Sequence, residues 1–167
     1  MSDLKYISSY PNEIIEQVKR MVKKRSLGRF LLEKHPHLHN IKNDKSLRVY
    51  VQDIKNSYLK KSAPLSQIKY DDKIHVIHNA LGVHKYVTRS QGGKAKVKNE
   101  IRIAAVFKKS PEAFLRMIVV HELAHIKEKE HNKNFYQLCE HIEPNYHQLE
   151  FELRLYLTHL DVLGELY

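Results

Sequence analysis

Residues 110–131 read SPEAFLRMIVVHELAHIKEKEH, and this stretch decides both the fold and the chemistry. Its opening predicts a helix. Ser110 is a good N-cap, Pro111 suits the first helical position, and Glu112 suits the positive end of the helix dipole. The apolar run Ala113 to Val120 follows, and His121-Glu122-Leu123-Ala124-His125 lies inside the same helix. Two histidines four apart stand one turn apart on nearly the same face, so their imidazoles can converge on one ion. Glu122 is displaced around the helix, beside the two ligands. There it can reach a water on the metal without ligating the metal itself.

Two ligands are too few for tight zinc binding. His131 follows six residues after His125. A continuous helix would carry it to a different face, so the chain must bend within the polar stretch Ile126 to Glu130. His131-Asn132 can then start the next helix and return an imidazole to the metal. The expectation is one zinc ion per chain on His121, His125 and His131, with the fourth position open to water. Zinc lowers the pKa of such a water from about 16 towards roughly 7. Glu122 would take its proton during attack on a carbonyl carbon or a phosphorus and return it to the leaving group. The bland reading is an exposed helix with two incidental histidines, since the chain holds 12. Against it stands the apolar run, which draws His121 and Glu122 into a partly buried region. Burying such groups costs several kcal/mol unless they are paired or metal-bound.

Working outward, the N-terminal half reads as helical. Asn12 to Lys24 carries Ile14, Ile15, Val18, Met21 and Val22 at helical spacing. A short helix over Leu27 to Lys34 ends near His35-Pro36. A third helix, capped by Asp44 or Ser46, runs to about Lys61. The period then becomes two. Ile74 to Asn79 and His84 to Arg89 read as strands, and Gln91-Gly92-Gly93 as a turn. From 94 to 103, Lys94, Lys96, Lys98, Glu100 and Arg102 face one way, while Ala95, Val97, Asn99, Ile101 and Ile103 face the other. This predicts a small, mainly antiparallel sheet. Beyond the histidine motif, helices are expected over Asn132 to Ile142 and His147 to Leu163, with Pro144 between them. N-terminal helices, a sheet, then the motif helix and C-terminal helices make an α+β domain covering residues 1–167.

Composition narrows the classes. The chain has 167 residues, of which 42 % are hydrophobic, which is enough for one folded core. The N-terminal MSDLKYISSYPNEII has no apolar core of signal-peptide type, and no apolar run is long enough to span a bilayer. Cys139 is the single cysteine. The expectation is a cytoplasmic protein with no membrane partner. Lys and Arg total 29 against 19 Asp and Glu, a net charge of +10 that favours anionic partners.

Residues 118–156, IVVHELAHIKEKEHNKNFYQLCEHIEPNYHQLEFELRLY, strongly resemble the YgjP-like metallopeptidase family. The shared elements are HELAH, a short polar loop, His131, Phe135 and Pro144-Asn145-Tyr146. The likeness extends over nearly the whole chain, including KIHVIHNALG and QGGKAK. It implies a compact zincin-like fold related to WLM and SprT-like peptidases, with zinc on the three histidines and Glu122 as base. Metzincins place glycine where this chain has Glu128, so the turn must be made differently. A downstream glutamate ligand, Glu140 or Glu143, ranks below His131.

Three functions compete. The leading one is a zinc-dependent metallopeptidase acting on a peptide substrate. The second is a nucleoside triphosphate pyrophosphohydrolase using the same centre, since YgjP-like proteins are also linked to UTP as substrate. The third is a nucleic-acid binder with a structural metal. Lys94, Lys96, Lys98 and Arg102 could hold phosphates, although a solvated face or a protected sheet edge is the simpler reading. Tyr146 could approach the site as a substrate contact or oxyanion donor, with interhelical packing as its simpler role. His35, His37 and His39 read as exposed loop histidines, and Arg116 as one half of a structural ion pair.

Overall fold

The computed structural model describes the backbone of residues 4–74, 82–91 and 94–167, and the side chains of 4–74 and 99–167. The chain forms α1 (Asn12–Lys23), α2 (Leu27–Lys34) and α3 (Asp44–Tyr58), then strands β1 (Leu65–Asp71), β2 (Gly82–Gln91) and β3 (Lys94–Ala104). It continues through α4 (Glu112–Ala124), α5 (Lys133–Ile142) and α6 (Tyr146–Val162). This is the expected α+β order.

The caps differ in detail from the sequence reading. Helix α3 is capped by Asn43, whose side chain accepts from the Ser46 amide at 2.8 Å, while Ser46 Oγ accepts from the Asn43 amide at 3.4 Å. Ser46 therefore completes a capping box at the third helical position. Asp44 instead accepts from the Tyr70 amide at 2.9 Å, tying α3 to β1. Ser110 does not cap α4. It is fully buried, and its hydroxyl faces the carbonyls of Phe107 and Pro111, each at 3.2 Å. Pro111 occupies the N-cap position without a side-chain cap.

The sheet is mixed rather than mainly antiparallel. Its order is β1-β3-β2, and β1 runs parallel to β3, with Ile68 opposite Ile101 and Tyr70 opposite Ile103. Strand β2 pairs antiparallel with β3, with Gly82 opposite Ile103 and Gln91 opposite Lys94. Alternation along a strand reports which face is dry but not which strand lies next to it, so the sequence could not reveal the parallel neighbour. Most of the strand expected over Ile74 to Asn79, and the glycines of the expected turn, lie outside the described residues.

Helix α4 is the axis of the structure. Phe114, Leu115, Met117, Ile118, Val119, Val120, Leu123 and Ala124 are all buried. A helix apolar on every side needs partners all round. Here α3, α5, α6 and β3 surround it. Ile101 and Ile103 of β3 and Leu153 of α6 are buried in the same core. Each such side chain contributes about 1.5–3 kcal/mol by leaving water. Among the described residues no helix is long and apolar enough to cross a membrane.

Candidate metal centre

Helix α4 stops just where the second histidine of the motif sits. His125 is its C-cap, still in right-handed helical conformation. The chain then turns tightly: the amides of Lys127 and Glu128 donate to the Ala124 carbonyl at 3.1 and 3.0 Å. The bend expected over residues 126–130 is therefore present. Asn132 opens α5 by accepting from the Phe135 amide at 2.9 Å, which places His131 directly before the cap.

The three imidazoles meet. His131 Nε2 lies 3.2 Å from His121 Nε2 and 3.0 Å from His125 Nε2. Two nitrogens bound to one tetrahedral zinc at about 2.0–2.1 Å would stand about 3.3 Å apart. His121, His125 and His131 thus form a group that could hold a metal ion. The surrounding bonds support this. His125 Nδ1 lies 2.9 Å from the Glu128 carbonyl, which has no proton to give. Nδ1 must therefore donate, and His125 Nε2 presents a bare lone pair to the cluster. A cation is the natural partner for lone pairs gathered this closely.

Enclosure falls from His121 through His125 to His131, which is exposed. Burial, and then the two neighbouring imidazoles, push His121 down to about 3, which keeps it in the neutral, ligating form. Glu122 is 2 % exposed, and burial pushes its carboxyl up to about 8. That places it near the range useful for moving protons at neutral pH. Phe135, fully buried, is the floor of the site. Its ring centroid lies 5.0 Å from His121, 4.6 Å from His125 and 4.8 Å from His131.

The other expected residues separate clearly. Tyr146 is fully buried, with its hydroxyl 2.8 Å from His121 Nδ1, so it supports the imidazole and has no open surface for a substrate. Arg102 faces Asp71 at 3.3 Å and Glu100 at 3.7 Å. Lys94, Lys96 and Lys98 lie on β3, but their side chains are outside the described ones. Neither alternative glutamate joins the triad: Glu143 bonds Arg116 Nε at 2.6 Å, and Glu140 pairs with His147 at 2.8 Å. His39 is not an exposed loop histidine. It is buried, its Nε2 is 2.6 Å from the Phe107 carbonyl, and its Nδ1 accepts from the Ile41 amide at 2.9 Å. Sequence reasoning did not find the Glu128 carbonyl, because a main-chain contact leaves no side-chain signature. Phe135 stood out in the sequence only as a shared element of the family resemblance, with no sign of its place beneath the imidazoles.

The sequence model of the family described as "YgjP-like, metallopeptidase domain" matches residues 10–156. The chain is 54 % identical over 162 residues to the UTP pyrophosphatase of Escherichia coli (strain K12), covering 97 % of each protein. No solved structure matches.

Proposed function

This chain belongs to the YgjP-like metallopeptidase-domain family, and from that premise we propose that it is a zinc-dependent hydrolase cutting a phosphoanhydride bond of a nucleoside triphosphate such as UTP. The observation that carries the reading is that His131 Nε2 lies 3.2 Å from His121 Nε2 and 3.0 Å from His125 Nε2, beside the helix that also holds the buried Glu122. His121, His125 and His131 would hold the ion. A bound zinc supplies Lewis acidity, polarising the attacked group and acidifying a water. Glu122 takes one proton from the attacking water. As the new P–O bond forms at the α-phosphorus, the bridging oxygen departs with pyrophosphate, and Glu122 returns the proton to that leaving oxygen. Glu122 is enclosed on the motif helix, and burial raises its proton affinity in the metal-free protein. The net charge of +10 suits a polyanionic substrate.

The choice of a triphosphate rests on the name of the 54 % identical relative, which covers nearly the whole chain. Peptide hydrolysis is the second reading, and the family's description favours it. The same water and the same Glu122 would attack a peptide carbonyl. Incubating the protein with a panel of nucleoside triphosphates and zinc, magnesium or manganese separates the two. Release of a nucleoside monophosphate, lost in Glu122→Gln with metal retained, supports the proposal. No monophosphate with any metal, together with metal-dependent cleavage of a peptide library, would replace it with the peptidase.

A further inference from the structure

His121 and His125 are supported at Nδ1 by different chemistry. The partner of His125 is a main-chain carbonyl, which only accepts. The partner of His121 is the Tyr146 hydroxyl at 2.8 Å, which can either accept or donate. The direction of this one bond decides whether His121 Nε2 carries a proton. With a proton there, the imidazole cannot ligate.

The surroundings bias the direction. Tyr146 opens α6 at the turn that follows Glu143, where its amide donates to the Glu143 carbonyl at 2.9 Å. Its ring lies nearly parallel to His121, with the planes 18° apart and the centroids at 6.5 Å. The side chain has no exposed surface, so bulk water cannot take the place of its partners. The Cys139 thiol of α5 lies against the same hydroxyl. Cys139 is itself fully buried, and burial keeps it a neutral thiol. At the far side of its ring His121 Nε2 faces His131 Nε2 at 3.2 Å, so an Nδ1–H donated to the phenol oxygen leaves the Nε2 lone pair turned to the cluster.

We propose that Tyr146 is a positioning residue: its oxygen accepts from His121 Nδ1–H and holds the imidazole in the tautomer whose Nε2 is free for a cation. Partners of this kind, behind a ligating histidine, fix ring orientation and contribute strongly to metal affinity. The proposal rests on the metal reading above but concerns the protein before metal arrives. Its first test therefore uses metal-free protein. Long-range 1H–15N correlation spectra should show His121 protonated at Nδ1 in the wild type and a shift toward Nε2–H in Tyr146→Phe. That variant keeps the ring and removes only the hydroxyl. Zinc affinity, read by chelator competition, should fall about 10- to 100-fold, and the visible spectrum of the cobalt-loaded protein should change. A thermal melt of the metal-free variant checks that the fold is retained.

An Nε2–H tautomer of His121 in the wild type would overturn the proposal without recourse to any variant. So would a Tyr146→Phe protein that binds zinc within twofold of the wild type. A wild type that shows the Nδ1–H tautomer but takes up no metal would keep Tyr146 in this place and sink the hydrolase reading instead.

Discussion

The corner between α4 and α5 and the sheet beside it are built by opposite means. The corner draws His121, His125 and His131 from one short stretch, and helix geometry brings them together. The sheet joins Leu65 to Asn99 and Tyr70 to Ile103, residues far apart in the chain whose pairing no local rule dictates. The corner sets the buried Glu122 beside three imidazoles graded from enclosed to exposed, so its chemistry is confined to a few atoms. At the described end of β3, dry Ile101 and Ile103 alternate with Glu100 and Arg102, and Arg102 faces both Asp71 and Glu100. Function concentrates where polar atoms are buried at a cost, and the sheet acts as the wall against which α4 is packed.

Substitutions should separate the two regions sharply. The largest effect belongs to a ligand. His125→Ala should abolish tight metal uptake and turnover together, measured by metal analysis of the purified protein and by product release; a variant still carrying one equivalent would break the contrast. Glu122→Gln should lower turnover by about a hundred- to ten-thousandfold while metal content stays at the wild-type level. Phe135→Ala removes the floor under all three imidazoles. It should cost about 3–5 kcal/mol of stability in urea unfolding and weaken metal binding as well. On the sheet side, Arg102→Gln should cost at most about 1 kcal/mol and leave metal affinity unchanged. A drop in zinc affinity there would mean that the sheet reaches the centre.

Acid should also act at the corner. His121 titrates well below its ordinary value because it is buried beside two imidazoles. A histidine held neutral in the fold contributes stability that is full above about pH 6.5 and declines as pH falls towards its folded value. Glu122, raised to about 8 by burial, pulls the other way over the same range, so the decline should emerge in metal-free Glu122→Gln protein, whose urea midpoint should fall from pH 6.5 to 5. His121→Asn should flatten that decline, and an equally steep slope in the variant would assign the effect to other groups, such as buried His39.

The same division explains what the sequence made legible. The His-Glu pair, the polar bend and His131 could be read because each depends on spacing within one helix or one turn. Helix α1 followed from its apolar stripe to within a residue, and α2 ended where His35-Pro36 stops it. The parallel β1–β3 pairing was hidden because alternation is blind to neighbours. The Asn43 cap was displaced because Asp44, the more obvious residue, serves Tyr70 instead. His39 looked like loop and proved buried because its partners, Phe107 and Ile41, come from elsewhere in the fold and from its own turn. Tyr146 was noticed, but which atom it serves depends on how α6 returns to α4.

The central claim is that three imidazole nitrogens close around one cation with a corner left for water. X-ray absorption at the zinc edge of the reconstituted protein tests it most directly. A single ion per chain, with three imidazole nitrogens and one non-protein oxygen in its inner sphere, is the expected spectrum. A protein that takes up no divalent ion, or one whose zinc shows a sulfur ligand or a fourth side-chain donor, would contradict it.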